Sequence, residues 1–339
     1  MLIAALPRHF RHNLIPHNLM RHNSKLLRTL LLTVLGLYIS ACSTLPSTAS
    51  ATPEPVIKAP SIALVLGGGG AKGFAHVGVI KMLEENGIKP TLVVGTSVGS
   101  LIGSLYASGY TPAQLEQLAL TTTDGQLTDF TLSNQGFIEG IKLKNFINTK
   151  VGERAIEDFP IAFAAVAAEK HTLKKAVFTT GNAGLAVQAS CSVPNIFIAP
   201  RIPDKVGKKY IDGGVVSLVP VDSAYDLGAD IVIAIDVTVS QGIGHTATQI
   251  PTINSLSDFW GFLETNIMAT NTTGNRSAST KSERDRADIV ITPNVGHISS
   301  VDTRQRRNLI QAGSQATAPQ IIAIKQLIQE KSNSKYATP

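Results

Sequence analysis

Three short glycine-bearing segments of the sequence carry the groups that acyl transfer requires. They are Gly67–Gly73 (GGGGAKG), Gly95–Gly99 (GTSVG) and Asp212–Gly214 (DGG). The first can present backbone N–H groups to an anion, the second can expose a serine hydroxyl at a sharp turn, and the third can place a carboxylate beside it. A nucleophile, a base and donors for an oxyanion are the parts of an acyl-transfer site.

The serine segment has the form of a nucleophile elbow, in which G-x-S-x-G joins a strand to a helix. An apolar strand is predicted before Gly95 and a helix from Val98 onward. Ser97 Oγ would then lie at the N-terminus of the helix, and Gly95 and Gly99 would let the strand and the helix approach closely. A tight turn with a serine as helix N-cap is the alternative interpretation.

The glycine loop matches the dinucleotide-binding pattern only formally. Gly68-x-Gly70-x-x-Gly73 follows a predicted strand and opens a helix, but the next strand ends in VVGTS and lacks the carboxylate that would hold a ribose. A phosphate-binding P-loop is also excluded, because Lys72 is followed by Gly73 and not by Ser or Thr. What remains is a set of unhindered N–H groups at a helix N-terminus, which stabilise negative charge.

A base for the serine is harder to assign, because histidine is the usual partner of a nucleophilic serine. Three histidines lie downstream of the elbow: His171, His245 and His297. None of them stands in a glycine-bounded turn, and His76 falls inside the first predicted helix. Asp212, in contrast, ends a predicted strand and precedes a turn that its glycines permit.

Strands that alternate with helices must position these groups. Strands are predicted at residues 62–66, 91–94, 161–166, 174–179 and 231–236, and helices at 74–86, 98–108, 222–228 and, broken at Pro319, from Asp302 onward. This alternation predicts a mostly parallel central sheet covered by helices on both faces, which is a three-layer α/β/α domain.

Two segments are less regular. Residues 121–156 are polar with scattered Phe and Leu. Residues 242–284 are rich in Thr, Ser and Asn but carry an apolar stripe at helical spacing: Leu256, Phe259, Trp260, Leu263 and Ile267. The stripe indicates either a helix that faces the core or a lid helix that faces lipid.

The first 60 residues predict an export signal followed by a tether. A basic stretch ends at Arg28, and the apolar run Leu30–Ile39 is too short to span a bilayer but suits a signal peptide. The ISAC segment Ile39–Cys42 resembles the lipobox of bacterial lipoproteins. That resemblance implies a lipidated Cys42 after removal of residues 1–41, and Ser43 in place of aspartate favours the outer membrane.

Other readings of this leader stay open. Cleavage after the ASA segment at residues 49–51 would give a soluble exported protein, and translation could start at Met20 instead of Met1. We predict four segments: a signal peptide at 1–41, a lipidated cysteine with a Pro/Ser/Thr/Ala-rich tether at 42–60, the α/β domain at 61–330 and a tail at 331–339.

The charge distribution argues against a nucleic-acid partner. The net charge is +6, but residues 1–41 hold five basic residues and no acidic one, so the remainder carries only +1. If Cys42 carries lipid, Cys191 is the sole remaining cysteine and no disulfide forms within the chain. No His, Cys, Asp or Glu cluster has the spacing of metal ligands, so neither a metal nor a cofactor is predicted.

Taken in order, the glycine loop, the GTSVG elbow and the Asp212–Gly213 pair resemble the patatin-like phospholipases. The ASCSVP segment Ala189–Pro194 and the FIAP segment Phe197–Pro200 resemble the stretch between elbow and aspartate in that family. The segments Leu66–Gly78 and Asp288–Pro293 resemble the bacterial branch related to neuropathy target esterase. The likeness covers about residues 61 to 300.

The resemblance implies a patatin-like fold with Ser97 as nucleophile and Asp212 as general base of a Ser–Asp dyad. It matches Gly68, Gly69 and Gly70 to the oxyanion loop. The remaining motif positions are Lys72, where the family has Arg or Lys, and Gly73, Gly95, Gly99, Gly213 and Gly214. It further implies metal-independent hydrolysis of phospholipid or lysophospholipid acyl esters. The AEKHT segment at 168–172 and residues 121–156 depart from the family pattern, which leaves the substrate and lid details open.

Two other functions are compatible with the sequence. One is a conventional Ser–His–Asp esterase that uses His297. The other is an envelope lipoprotein that keeps the fold without catalysis, against which the intact Ser97 and Asp212 argue.

Overall fold

The computed structural model of the chain describes residues 59–238 and 282–336, with the side chains of residues 334–336 excepted. The predicted signal peptide, Cys42, the tether, His245 and the apolar stripe of residues 256–267 lie outside these residues. Within the described ranges, none of the helices combines the length and the apolar character needed to cross a bilayer.

Eight strands form the described sheet. They are β1 (Ile62–Leu66), β2 (Leu92–Thr96), β3 (Ala162–Glu169), β4 (Lys175–Phe178), β5 (Arg201–Ile202), β6 (Lys208–Asp212), β7 (Ile231–Ile235) and β8 (Ile289–Ile291). Hydrogen-bonded neighbours follow the path β5-β6-β3-β2-β1-β7-β8, and β4 also pairs with β3. The pairs β1–β2, β1–β7, β2–β3 and β7–β8 are parallel, whereas β4 and β6 run antiparallel to β3. The predicted mostly parallel sheet is confirmed.

Helices cover both faces of this sheet. They are α1 (Phe74–Glu85), α2 (Val98–Ala107), α3 (Pro112–Thr121), α4 (Asp124–Leu127), α5 (Ile141–Lys150), α6 (Ala183–Ser190), α7 (Val221–Asp226), α8 (Arg306–Thr317) and α9 (Ile321–Tyr336). Alternate residues of β1 enter two separate cores. Leu64 packs in the core that contains α1, α2 and α8, and Val65 packs in the core that contains α7. The three-layer α/β/α architecture follows from a central sheet that is apolar on both faces.

Strand β3 is longer than its sequence pattern predicts. The apolar run indicates a strand that ends at Val166, but β3 continues to Glu169 because its last residues pair with β4 and β6. Helix α5 lies in the polar segment 121–156 and is not predicted, since only Leu143 and Ile147 of its apolar side chains are buried. The predicted break at Pro319 is confirmed, as a short 3-10 turn separates α8 from α9.

Pairing registers show that β2 and β6 share one edge of β3. β4 pairs with Ala165–Ala168 and β6 with Ala167–Glu169, so β4 and β6 must lie on opposite edges of β3. β2 pairs with Ala162–Val166, a range that overlaps the residues paired with β4. β2 therefore lies on the edge of β3 opposite β4. β6 pairs with the same edge of β3, beyond the point where β2 ends.

Candidate active site

Ser97 occupies a sharp turn between β2 and α2. Its backbone has φ 54° and ψ −127°, and the residue is 4% exposed. A Cβ atom on Gly95 would lie 2.5 Å from backbone atoms of Gly99, and one on Gly99 would lie 2.0 Å from Leu66 O. Both glycines are required because strand and helix cross too closely for any side chain, which is the geometry of a nucleophile elbow.

The backbone of Ser97 is held by a buried serine for which the sequence predicts no role. The Ser97 N–H donates to Ser190 Oγ at 2.9 Å, and Ser190 Oγ in turn donates to Val166 O at 2.6 Å. Ser190 is fully buried at the end of α6. Its only signal in the sequence is its place in the ASCSVP segment. The hydroxyl satisfies two buried backbone groups at the elbow, and such groups are costly to leave unpaired.

Asp212 lies at the end of β6 and is completely buried. Its Oδ1 accepts a hydrogen bond from the Gly214 N–H at 2.7 Å, and its own N–H donates to Ser192 O at 2.8 Å. Oδ2 is buried and has no hydrogen-bond partner among the residues that the structure describes. A carboxylate oxygen without a partner in an apolar environment is poorly solvated, so it favours the protonated form.

The pKa of Asp212 reflects this environment. Burial raises it from 3.8 to about 7, against the lowering effects of the Ser97 side chain and the Gly214 N–H. A carboxyl group with this pKa is a stronger base than an exposed aspartate and is about half ionised near neutral pH.

Ser97 and Asp212 face each other across the junction of two strands. Thr96, the last residue of β2, pairs with Val166, and Asp212, the last residue of β6, pairs with Ala167. Since β2 and β6 share this edge of β3, the two chain ends meet there. The Ser97 side chain is near enough to lower the pKa of Asp212, although no described residue forms a hydrogen bond with Oδ2. Catalytic hydrogen bonds are often long before substrate binds.

The three glycines matched to an oxyanion loop differ in the state of their amides. The Gly68 N–H donates to Leu218 O at 3.0 Å and is therefore already engaged. The N–H groups of Gly69 and Gly70 have no acceptor among residues 59–238 and 282–336. Gly70 has a φ of 58°, in the left-handed region that favours glycine. Two of the three amides thus have no hydrogen-bond acceptor within the described residues.

Packing places this glycine loop against the elbow. A Cβ atom on Gly73 would lie 2.4 Å from the side chain of Val98, the residue that follows Ser97. Lys72 is buried at 4% exposure. His76 is fully buried, and its Nε2 donates to Gly67 O at 2.8 Å. Burial lowers the pKa of His76 to about 4, so the imidazole is neutral and serves to hold the loop.

The glycines of the Asp212–Gly214 segment lie against β3, the strand with which both β2 and β6 pair. A Cβ atom on Gly213 would lie 2.2 Å from Val166 O, the carbonyl that accepts the Ser190 hydroxyl. Gly213 and Gly214 form a 3-10 turn that is capped by the Asp212 side chain. The glycines therefore allow the turn after Asp212 to contact β3 next to Thr96.

Cys191 is a further buried side chain at this site. Its Sγ lies 3.9 Å from Ser100 Oγ, and its thiol pKa is raised by burial and by the charge of Asp212. A thiol in such surroundings stays protonated and unreactive.

His171 and His297, two candidate bases that the structure describes, do not lie beside Ser97. His171 is exposed in the turn after β3, where its N–H donates to Glu169 Oε1. His297 is exposed and lines a different cavity with Gln311 and Gln315, which contains neither Ser97 nor Asp212. Neither of these two histidines is therefore placed to act on Ser97 in the described residues.

The sequence profile of the family described as patatin-like phospholipase matches residues 64–225. The chain carries a patatin-like phospholipase domain. The matched range begins in β1, ends in α7 and contains both Ser97 and Asp212. An uncharacterized NTE family protein of Mycobacterium tuberculosis is 34% identical over 188 residues, which cover 54% of this chain and 50% of the relative. These similarities confirm the resemblance found in the motifs.

A second relative extends the similarity toward the C-terminus. The lysophospholipase NTE1 of Pyricularia oryzae is 30% identical over 260 residues, which cover 74% of this chain and 16% of that protein. The chain thus spans half or less of the length of these curated relatives. The crystal structure of VipD from Legionella pneumophila has a TM-score of 0.53 at 14% identity, with 78% of this chain and 67% of that chain covered. This likeness supports the patatin-like α/β fold.

Proposed function

We propose that this protein is a lipid acyl hydrolase of the phospholipase A or lysophospholipase type, with a Ser97–Asp212 dyad. The observation that carries the proposal is a serine at a nucleophile elbow that faces a buried carboxyl, one oxygen of which has no hydrogen-bond partner in the described part of the chain. Membership of the patatin-like phospholipase family supports an ester of a phospholipid or lysophospholipid as substrate.

In the proposed first step, Asp212 Oδ2 takes the proton of the Ser97 hydroxyl while Oγ forms a bond to the ester carbonyl carbon. The carbonyl oxygen becomes an oxyanion, which the N–H groups of Gly69 and Gly70 stabilise. When the tetrahedral intermediate collapses, the bond to the alcohol breaks and the alcohol leaves with the proton from Asp212. The acyl chain is then esterified to Ser97.

In the second step, water is the nucleophile and Ser97 is the leaving group. A water molecule loses a proton to Asp212 and attacks the acyl carbon, and the fatty acid leaves as Ser97 recovers its proton. Gly68 supports the loop through its bond to Leu218 O and does not act as a donor in this scheme. No step needs a metal ion, so chelation should leave the rate unchanged.

Fatty-acid release from phospholipid and lysophospholipid vesicles tests this function. Wild-type protein should release fatty acid with or without a chelator, whereas Ser97→Ala and Asp212→Asn should lose activity by at least about a hundredfold. His297→Ala should retain it, because His297 lines a separate cavity. Loss of turnover in His297→Ala with full activity in Asp212→Asn would favour the Ser–His–Asp alternative. No release by any preparation would favour the non-catalytic lipoprotein.

We also propose a bacterial cell-envelope location, with the chain anchored by lipid at Cys42 and sorted to the outer membrane. The ISAC segment and the preceding apolar run support this proposal. Metabolic labelling with a fatty acid and fractionation of the membranes test it. Label and outer-membrane location should both be lost in Cys42→Ser, and an unlabelled wild-type chain in the soluble fraction would contradict it.

A further inference from the structure

Large apolar side chains are exposed on two neighbouring loops. The hairpin formed by residues 130–138 carries Phe130 at 82%, Leu132 at 103% and Phe137 at 59% exposure, and the turn between β5 and β6 carries Val206 at 83%. Single exposed apolar residues need no explanation, but four of this size on adjacent loop tips mark an interaction site.

Contacts join these loops to a third one. Lys209 Nζ donates to Gln135 Oε1 at 2.9 Å, which ties the hairpin to β6. The Lys170 N–H donates to Lys209 O at 2.8 Å, which ties the turn after β3 to the same strand. That turn adds another exposed apolar residue, Leu173. We call the combined face of the hairpin, the β5–β6 turn and the β3–β4 turn the docking surface.

The docking surface is also basic. Lys170, Lys205 and Lys208 are exposed on it, and none of them forms a salt bridge with another described residue. The acidic groups among them are already engaged. Asp204 lies 3.7 Å from Lys144 Nζ, and Glu169 is buried and accepts hydrogen bonds from its own turn. The charge of Lys208 also helps to lower the pKa of Glu169, after the hydrogen bonds from the Thr172 side chain and the His171 N–H. The portion of the chain after residue 41 carries a net charge of only +1, so this concentration of cations is a local feature.

The docking surface lies beyond the carboxyl edge of the sheet, on the side of the candidate dyad. Strand β6 ends at Asp212 and begins at Lys208, so at about 3.3 Å per residue the lysine lies about 13 Å farther out. Glu169, which precedes the β3–β4 turn, extends in the same direction from Val166. The Phe137 N–H donates to Ile196 O, in the segment that follows Ser192.

We propose that the docking surface binds an anionic lipid bilayer, with the apolar loop tips inserted between headgroups and the lysines placed against lipid phosphates. Apolar tips surrounded by cations match the boundary between headgroups and acyl chains, where both kinds of group find partners. A nucleic acid would engage the lysines but leave the apolar tips in water. Binding in this orientation turns the carboxyl edge of the sheet toward the membrane. Membrane binding by this surface does not require turnover at Ser97.

A position-specific fluorescent probe tests the proposal in the full chain. The background is Cys42→Ser with Ser97→Ala, so that neither a lipid anchor nor hydrolysis interferes, and Cys191 stays unlabelled because it is buried. An environment-sensitive thiol dye is attached at Leu132→Cys or, as control, at Ile322→Cys, which is 71% exposed on α9. Emission is recorded with vesicles of phosphatidylcholine alone or mixed with phosphatidylglycerol, and with brominated lipids as depth-dependent quenchers.

The dye at position 132 should shift to the blue and be quenched with anionic vesicles, while the dye at 322 stays unchanged. Replacing Lys205 and Lys208 by Gln should raise the lipid concentration at half-maximal shift about five-fold per lysine. The matched control Lys89→Gln with Lys325→Gln, both exposed elsewhere, should leave it unchanged. Equal signals from positions 132 and 322, or a shift that ignores the anionic lipid and the lysine changes, would overturn the proposal. So would a blue shift that appears without vesicles as protein concentration rises, since that result indicates a second copy of the chain on this surface.

Discussion

Replacing Asp212 by Asn should change how the stability of the folded chain depends on pH. The carboxyl is completely buried, and its pKa is raised from 3.8 to about 7 chiefly by that burial. Between these two values the folded chain holds a proton that the unfolded chain has released. The free energy of unfolding of the wild type therefore falls as pH rises from about 4 to about 7 and stays level above that. A neutral amide removes this dependence.

The magnitude follows from the two pKa values. Each unit of difference is about 1.4 kcal/mol, so full ionisation of the buried carboxyl costs about 4 kcal/mol. Part of that cost is already present at about pH 5. The contribution of Asp212 to the free energy of unfolding therefore changes by about 3 kcal/mol between about pH 5 and about pH 9. An Asn side chain keeps the acceptor for the Gly214 N–H. Its amide nitrogen adds only a constant difference, which cancels when the two pH values are compared.

Urea unfolding of wild type and Asp212→Asn at both pH values provides the measurement. The stability of Asp212→Asn relative to wild type should be about 3 kcal/mol greater at the higher pH than at the lower one. Asp204→Asn, which removes an exposed carboxyl on the β5–β6 turn, controls for the loss of one negative charge. A difference between wild type and Asp212→Asn that stays constant with pH would refute the reasoning, because it would mean that the carboxyl titrates alike in folded and unfolded chains.

Three further predictions concern the elbow and its surroundings. Gly99→Ala should destabilise the fold by about 3 kcal/mol or more in urea unfolding, because its Cβ would lie 2.0 Å from a backbone oxygen, whereas Gly125→Ala meets no atom within 4 Å and should be nearly neutral. Ser190→Ala should cost about 1–3 kcal/mol and lower kcat more than it changes KM, while Ser192→Ala, whose hydroxyl donates to Gln188 O in the preceding helix α6, should leave kcat unchanged. The rate of fatty-acid release should fall about tenfold per pH unit below about pH 7, since Asp212 must be ionised to act as base, and a profile that is flat down to about pH 5 would contradict that role.

The sequence identifies the chemical groups of the site more completely than it identifies their supports. Ser97 and Asp212 stand out because glycines are needed where the chain turns sharply, and these requirements are local. Their proximity is not local, since it depends on β2 and β6 meeting along one edge of β3. In the sequence the two residues are linked only by the chemistry of their motifs and by the resemblance to a family.

The role of Ser190 could not be read from the sequence for a related reason. A serine at the end of an apolar helix has no distinguishing pattern, and its two partners lie 93 and 24 residues away along the chain. The hydrogen bond of the Gly68 N–H could not be predicted either, because its acceptor Leu218 O belongs to a distant segment of the sequence. Alternation of apolar residues predicted the buried strands correctly but ended β3 at Val166, since pairing and hydrogen bonds, not apolar character, extend it to Glu169.

The central claim is that the Ser97 hydroxyl is a nucleophile activated by Asp212, and covalent labelling tests it most directly. Wild-type protein is treated with a fluorophosphonate, and the modified residue is located by peptide mass spectrometry. We expect one adduct on Ser97, no adduct in Ser97→Ala, and labelling at least about tenfold slower in Asp212→Asn. An adduct on another residue, or labelling of Asp212→Asn at the wild-type rate, would contradict the claim.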